Sequence, residues 1–209
     1  MARMKQEYNP NRAPIRKRRP VIYIVCEGKE TEIKYFRHFR TRNCLVDIIP
    51  IRSKHKAAEP LVRHAKDMVK PASYFPKDGD RIWCVFDRDS NTNEMLSKAN
   101  SVAQASGYGI AYSNPCFEYW FLLHFADHIG YVGDADEVLR LLREDGRIPG
   151  YEKNKDIFYE LFERQALALS RAGKRVKQLY GDGLVILSRE SNPCTTVYEL
   201  VEYLNRQSK

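Results

Sequence analysis

Two stretches of the chain place carboxylates directly after apolar runs. In "VIYIVCEGKETE", residues 21–32, Glu27 follows such a run, and in "RIWCVFDRDSN", residues 81–91, Asp87 and Asp89 follow another. The carboxyl ends of strands in a parallel α/β sheet form the crevice in which ligands bind. If the two apolar runs are neighbouring strands, Glu27, Asp87 and Asp89 converge at that edge. Three oxygen donors with no His or Cys partner suit Mg2+ or Mn2+. Such an ion serves phosphate chemistry, where it neutralises developing charge, orients a phosphodiester and lowers the pKa of an attacking water. One of the acids, with Glu27 as the first candidate, would then act as base toward water. Lys29 and Arg88 stand beside these acids and are candidate phosphate contacts, against the plainer reading of solvated surface charges.

Rival chemistries fit the same residues less well. "CEGKETE" lacks the G-x-x-x-x-G-K-[ST] spacing of a P-loop, and no G-x-G-x-x-G follows any strand. A nucleophilic Cys26 needs a nearby base that no sequence signature supplies. Cys26 and Cys84 read instead as small apolar residues inside strands. "DRDSN" also resembles the D-x-D of haloacid dehalogenase phosphatases, but Asn91 stands where that pattern has Thr or Val.

The elements that must position these acids alternate along the chain. Val21–Cys26, Leu45–Ile51, Arg81–Phe86 and Tyr108–Tyr112 have strand character; Glu30–Arg40, Glu59–Lys70 and Glu94–Ala105 have helical period. This β-α-β-α-β-α-β order predicts an α/β fold, a mostly parallel sheet flanked by helices on both faces. After residue 114 the pattern predicts a buried helix in "NPCFEYWFLLHFADH" and further helices at 136–144 and 156–179. A strand at "GLVILS", 183–188, and a closing amphipathic helix in "TTVYELVEYLNRQ" follow. We expect residues 20–209 to fold together, with a helical C-terminal elaboration at about 131–180. "SNPC" occurs twice, at 113–116 and 191–194, each time before a predicted helix, where Asn would cap and Pro would take the first turn.

Charge separates the first 19 residues from the rest. They hold seven Lys or Arg against the single acid Glu7, a net +6 of the chain's +8. This Pro- and Asn-containing arm reads as flexible until bound. Its cluster Arg16, Lys17, Arg18 and Arg19 is either an attachment point for a nucleic-acid backbone or a solubilising tail. No apolar run reaches the roughly 18 to 20 residues of a membrane span, and no signal-peptide segment opens the chain, so the expected location is cytoplasmic. Five cysteines without a C-x-x-C argue against a disulfide framework or a structural zinc site.

Four segments together resemble the RloB family, a Toprim-like group encoded beside restriction systems and in phage-defence loci. They are "VCEGKETEIKYF" (25–36), "VFDRDSN" (85–91), "SNPCFEYWFLLHF" (113–125) and "SNPCTTVYELVEYL" (191–204). The resemblance implies a Toprim fold, shared with topoisomerases, bacterial primases and overcoming-lysogenization-defect nucleases. In that fold the glutamate after the first strand and a later D-x-D form a divalent-metal site; Glu27 matches the first, and Asp87 and Asp89 the second. Glu32 matches the second acid of the family's "EG…TE" pattern, and Glu118, in "NPCFE", is a further site acid by the same resemblance. His124 lies in a family segment too and reads as a core histidine. Family members commonly lie beside an ATPase gene, which implies an ATPase partner.

Three functions are consistent with these residues. The leading one is a Mg2+-dependent nuclease that cleaves RNA or DNA phosphodiesters in antiviral defence. The second is a non-catalytic nucleic-acid-binding or sensor subunit of an ATPase-containing complex. The third is a phosphotransferase or nucleotidyl-modifying enzyme using the same metal site.

Overall fold

The computed structural model describes residues 18–28, 30–69 and 73–208. Arg16, Lys17 and Lys29, with most of the basic arm, lie outside the described residues.

Five strands form one sheet in the order β2-β1-β3-β4-β5, with β1 Val21–Cys26, β2 Asp47–Arg52, β3 Arg81–Asp87, β4 Gly109–Asn114 and β5 Cys194–Thr195. The first four run parallel and β5 pairs antiparallel to β4. All six residues of β1 are buried, as a strand covered on both faces requires. Its side chains alternate: Ile22, Ile24 and Cys26 enter one apolar cluster, and Val21, Tyr23 and Val25 enter the other. β2 is an edge strand and tolerates Pro50, which lacks the N–H a central strand would need.

Helices cover both faces. α1 (Thr31–Arg37), α5 (Glu118–Leu122), α6 (Ala135–Leu142), α7 (Phe158–Phe162) and α9 (Val197–Asn205) pack into the first cluster. α2 (Ala58–Arg63), α3 (Ala65–Met68) and α4 (Asn93–Ser106) pack into the second. α8 (Gln165–Gly181) contributes to both, through Ala168 and Ala172 on one side and Val176 and Leu179 on the other. Among the described residues no helix is long and apolar enough to cross a membrane.

The mostly parallel α/β sheet agrees with the alternation of the sequence, and several elements differ in extent or kind. The expected helix 30–40 is α1 followed by i→i+3 turns through Arg40. The helix expected from Glu59 divides at His64, whose φ of −98° and ψ of 8° leave the helical region. The one expected at 156–179 divides at Arg164, with φ −101° and ψ 2°.

"GLVILS" is not a strand. The edge beside β4 is taken by Cys194–Thr195, and residues 183–188 close on themselves through Ser188 N–H to the Ile186 carbonyl at 2.9 Å and Ser188 Oγ to the Val185 carbonyl at 2.6 Å. Neither "SNPC" starts a helix. Asn114 ends β4, Pro193 precedes β5, and both Asn–Pro bonds are cis. The two copies face each other, because Asn114 pairs with Cys194 across the ladder and Asn192 Nδ2 donates to Asn114 Oδ1 at 3.3 Å. Asn192 also exchanges hydrogen bonds with the Val132 backbone at 2.9 and 2.7 Å. The side chains expected to cap helices brace chain segments across the sheet instead.

At the amino edge of the sheet the buried Asp80 carboxylate gathers four donors. Arg18 Nη1 and Nη2 approach at 2.8 and 2.7 Å, and the Val21 and Phe75 amides at 2.7 and 2.8 Å. Burial alone would push this carboxyl up, but the Arg18 hydrogen bonds and the two amides outweigh it and hold its pKa below the usual range. Arg18, a candidate nucleic-acid contact from the sequence, is therefore committed to the fold, with its guanidinium also 4.8 Å from the Phe75 ring centroid. Asp80→Ala should destabilise the protein by about 2 kcal/mol in urea titrations, since it leaves the Val21 and Phe75 amides without their acceptor, while the part-exposed Arg18 keeps the Ser73 carbonyl and water. A folded pKa below the unfolded value stabilises fully above the unfolded pKa, so wild type and variant should converge only as pH falls below about 4.

Candidate functional site

The chain order explains where a site can form. From β1 the chain passes to β2 on one side and then returns to β3 on the other, so the carboxyl ends of β1 and β3 flank a topological switch point. The condition set by the sequence is met: β1 and β3 are neighbours, with Cys26 opposite Val85. Their ladder continues one residue further, where the Glu27 amide donates to the Val85 carbonyl at 2.9 Å. In return the Asp87 amide donates to Glu27 Oε2 at 3.2 Å, which fixes that carboxylate beside the end of β3.

A cleft of about 690 Å3 opens at this edge, lined by Glu27, Glu32, Asp87 and Asp89. Three cations line it as well: Arg52, the last residue of β2, and Lys54 and Lys56 from the β2–α2 connection. Glu32, in the first turn of α1, is 6% exposed. Gly28 makes room for it, because a Cβ at that position would overlap the Glu32 carboxylate. Asp89 sits in a left-handed turn at φ 35°, a conformation that costs a non-glycine residue about 1 kcal/mol.

Asn91 holds the D-x-D segment. Wholly buried, it donates from Nδ2 to the Asp87 carbonyl at 3.1 Å and accepts the Ala58 amide, at the start of α2, on Oδ1 at 2.9 Å. It satisfies one of the helix-start amides that has no partner within α2. Glu118 is buried as the first residue of α5 and does not line the cleft. Its Oε1 accepts the Tyr151 hydroxyl at a long 3.5 Å.

The acids raise one another's proton affinity. Burial, then the charges of Asp89 and Glu32, push Glu27 up to about 7 against the opposing Asp87 amide and Lys56. Burial and the Glu118 charge push Glu32 up to about 7 as well. Asp87 is raised well above the usual carboxylate range, by burial first and then by Glu32, Glu118, Glu27 and Asp89. No ion pair among the described residues engages any of the four cleft acids. Uncompensated oxygen donors of this kind fit a hard divalent cation. As placed, no group of three or more His, Cys, Asp or Glu side chains among the described residues converges closely enough to hold a metal ion.

The remaining candidates lie apart from the cleft. Arg88 is half-buried, its Nη1 donating to the Asp89 carbonyl at 2.9 Å and its Nε buried without a partner. Arg19 is exposed, 3.8 Å from Asp47. His124 is a core histidine: its Nδ1 faces the Trp120 carbonyl at 2.9 Å, and burial pushes its pKa down to about 4. Cys26 and Cys84 are fully buried in strands. Sequence reasoning passed over Arg52, Lys54, Lys56 and Asn91. The first three follow a strand as the acids do, so the rule that nominated Glu27 applies equally to "IRSKHK".

No curated protein and no solved structure matches the chain. A protein-family model described as RloB-like protein matches residues 22–204, from β1 into α9, and so takes in every acid of the cleft. The chain belongs to the RloB-like protein family.

Proposed function

We propose that the protein is a divalent-cation-dependent nuclease, built on a Toprim-like sheet, that hydrolyses phosphodiesters of RNA or DNA. By family resemblance it would act in antiviral defence beside an ATPase. One observation carries this reading: four carboxylates without ion-pair partners share one cleft at the β1/β3 switch point with three cations. An acidic floor suits a cation such as Mg2+ or Mn2+, and a basic rim suits a polyanion.

Glu27, Asp87 and Asp89 are the residues that would hold the ion, with Glu32 beside them. Bound there, Mg2+ or Mn2+ would supply charge neutralisation at the phosphoryl oxygens and a more acidic water. Glu27 is the base. Its Oε2 accepts the Asp87 amide, which fixes the carboxylate plane; each carboxylate oxygen keeps a free lone pair, so one could face the ion while the other takes a proton from water. Asp89 stands at the exposed end of the acid row, where the turn at φ 35° presents it to solvent. Arg52, Lys54 and Lys56 attract the backbone of the substrate and hold it against the acidic floor.

Asp87→Ala should lower Mg2+- or Mn2+-dependent cleavage of nucleic acid by roughly a hundredfold or more. Its melting temperature without metal should be equal or higher, because the substitution removes one member of a repelling set. Cleavage that survives in Glu27→Ala/Asp87→Ala would exclude this site. Nucleic-acid binding that is never followed by cleavage, with either ion, would favour the sensor reading. Gly28→Ala should leave folding nearly unchanged, since the overlapping group is the tip of a flexible side chain. By displacing the Glu32 carboxylate it should weaken divalent-cation affinity roughly tenfold in calorimetric titration.

A further inference from the structure

Arg52 and Lys54, which line the carboxylate cleft, also line a second hollow of about 290 Å3. The apolar Ile51 and Met68, the imidazoles of His55 and His64 and the carboxylate of Asp67 complete its lining. The two imidazoles stack with centroids 4.8 Å apart and planes inclined by 23°. His64 is anchored by Asp67, whose Oδ2 lies 3.0 Å from Nδ1.

The connection carrying these groups is tied to the catalytic edge. The Ser53 amide donates to the Cys26 carbonyl at 2.7 Å, one residue before Glu27. The buried Ser53 hydroxyl donates to the His55 carbonyl and accepts the His55 amide, both at 2.9 Å, closing a tight turn. Lys54 is exposed at the tip of that turn and His55 is half-buried beyond it. None of Arg52, Lys54 and Lys56 is in an ion pair among the described residues.

We propose that the second hollow receives an unpaired nucleobase from the strand whose phosphates lie along Arg52 and Lys54. The substrate of the nuclease proposed above, on which this inference rests, is then single-stranded at the cleaved position. Cations that serve two adjoining hollows suit a phosphate between two nucleotides, one presented to the acids and one turned into the imidazole-lined site. Flat rings over an apolar floor bind any base through its π-face, the arrangement that single-strand binders use. A paired base would first have to leave its stack, which costs a few kcal/mol. Surface cations alone would favour any polyanion, and it is the ring-lined hollow sharing those cations that specifies a nucleotide.

Fluorescence anisotropy with the full chain in metal-free buffer reads binding apart from cleavage. Three probes are compared: a short labelled oligothymidylate, the same strand in a duplex, and an abasic strand of equal length. The wild type should prefer oligothymidylate. His55→Ala/His64→Ala should weaken that binding roughly tenfold and leave the abasic strand unaffected. His55→Phe/His64→Phe should restore it, because the rings are retained. Arg52→Ala/Lys54→Ala should weaken oligothymidylate and abasic strand alike. Its log–log salt dependence should be shallower by about 1.4, the share of two single-strand phosphate contacts. Equal wild-type affinity for all three probes, or an unchanged affinity in His55→Ala/His64→Ala, would overturn the subsite. Base-dependent binding without any metal-dependent cleavage would sink the nuclease reading and leave the subsite standing. Cleavage without base preference would do the reverse.

Discussion

The Glu27 amide reaches the Val85 carbonyl at 2.9 Å, and the Asp87 amide reaches back to the Glu27 carboxylate at 3.2 Å. These two hydrogen bonds extend the β1–β3 ladder past its last strand pair and bring two carboxylates to the same edge. Everything else at the site follows from that extension. Gly28 has to be small because Glu32 turns back into the space beside it. Asn91 has to be buried and doubly bonded because the D-x-D backbone must be held against the end of β3. The cost of the arrangement is electrostatic, since three of the acids have their pKa values raised by burial and by one another.

A fold can sustain that cost only if its stability comes from elsewhere. Here it comes from two apolar clusters, one on each face of the sheet, and from a polar brace at the opposite edge. The brace is the inverse of the acid cleft: Asp80 is a buried carboxylate with every near neighbour a donor, and its pKa falls where those of the cleft acids rise. The sheet thus carries satisfied charge at its amino edge and unsatisfied charge at its carboxyl edge. Unsatisfied charge in a concave, partly buried place marks a functional site more often than a structural one.

The sequence made legible whatever depends on local periodicity. The alternation of β1 and the acids at 27, 87 and 89 could be read because a strand covered on both faces is continuously apolar and stops abruptly where it meets solvent. What could not be read depends on partners distant along the chain. "GLVILS" has strand composition, yet the free edge of β4 goes to the two residues Cys194 and Thr195. The repeated "SNPC" has the local chemistry of a helix start, but Asn114 and Asn192 find each other across 78 residues, and that pairing outweighs capping. Arg18 belongs by composition to a basic arm, and only the fold reveals Asp80 beneath it. The two buried members of the acid group, Glu32 and Glu118, stand in first helical turns where carboxylates are ordinary, so periodicity alone gives them no distinction.

The acids and the cations of the cleft come from different strands of the sheet. Glu27 and Asp87 end central strands, whose carboxyl termini are buried and fixed by ladders on both sides. Arg52 ends the edge strand β2, paired on one side only, Lys54 and Lys56 follow it, and all three are exposed. Groups that must hold a small cation need rigid placement, whereas groups that attract a polymer need reach and solvent access. The proposed function makes both demands, and neighbouring strands of one sheet supply the two kinds of placement. Ser53 couples them, its amide on the Cys26 carbonyl and its hydroxyl closing the turn that presents Lys54. The distance from basic rim to acidic floor is therefore set by the β1–β2 register, and any slip of that pairing would shift the cations relative to the carboxylates.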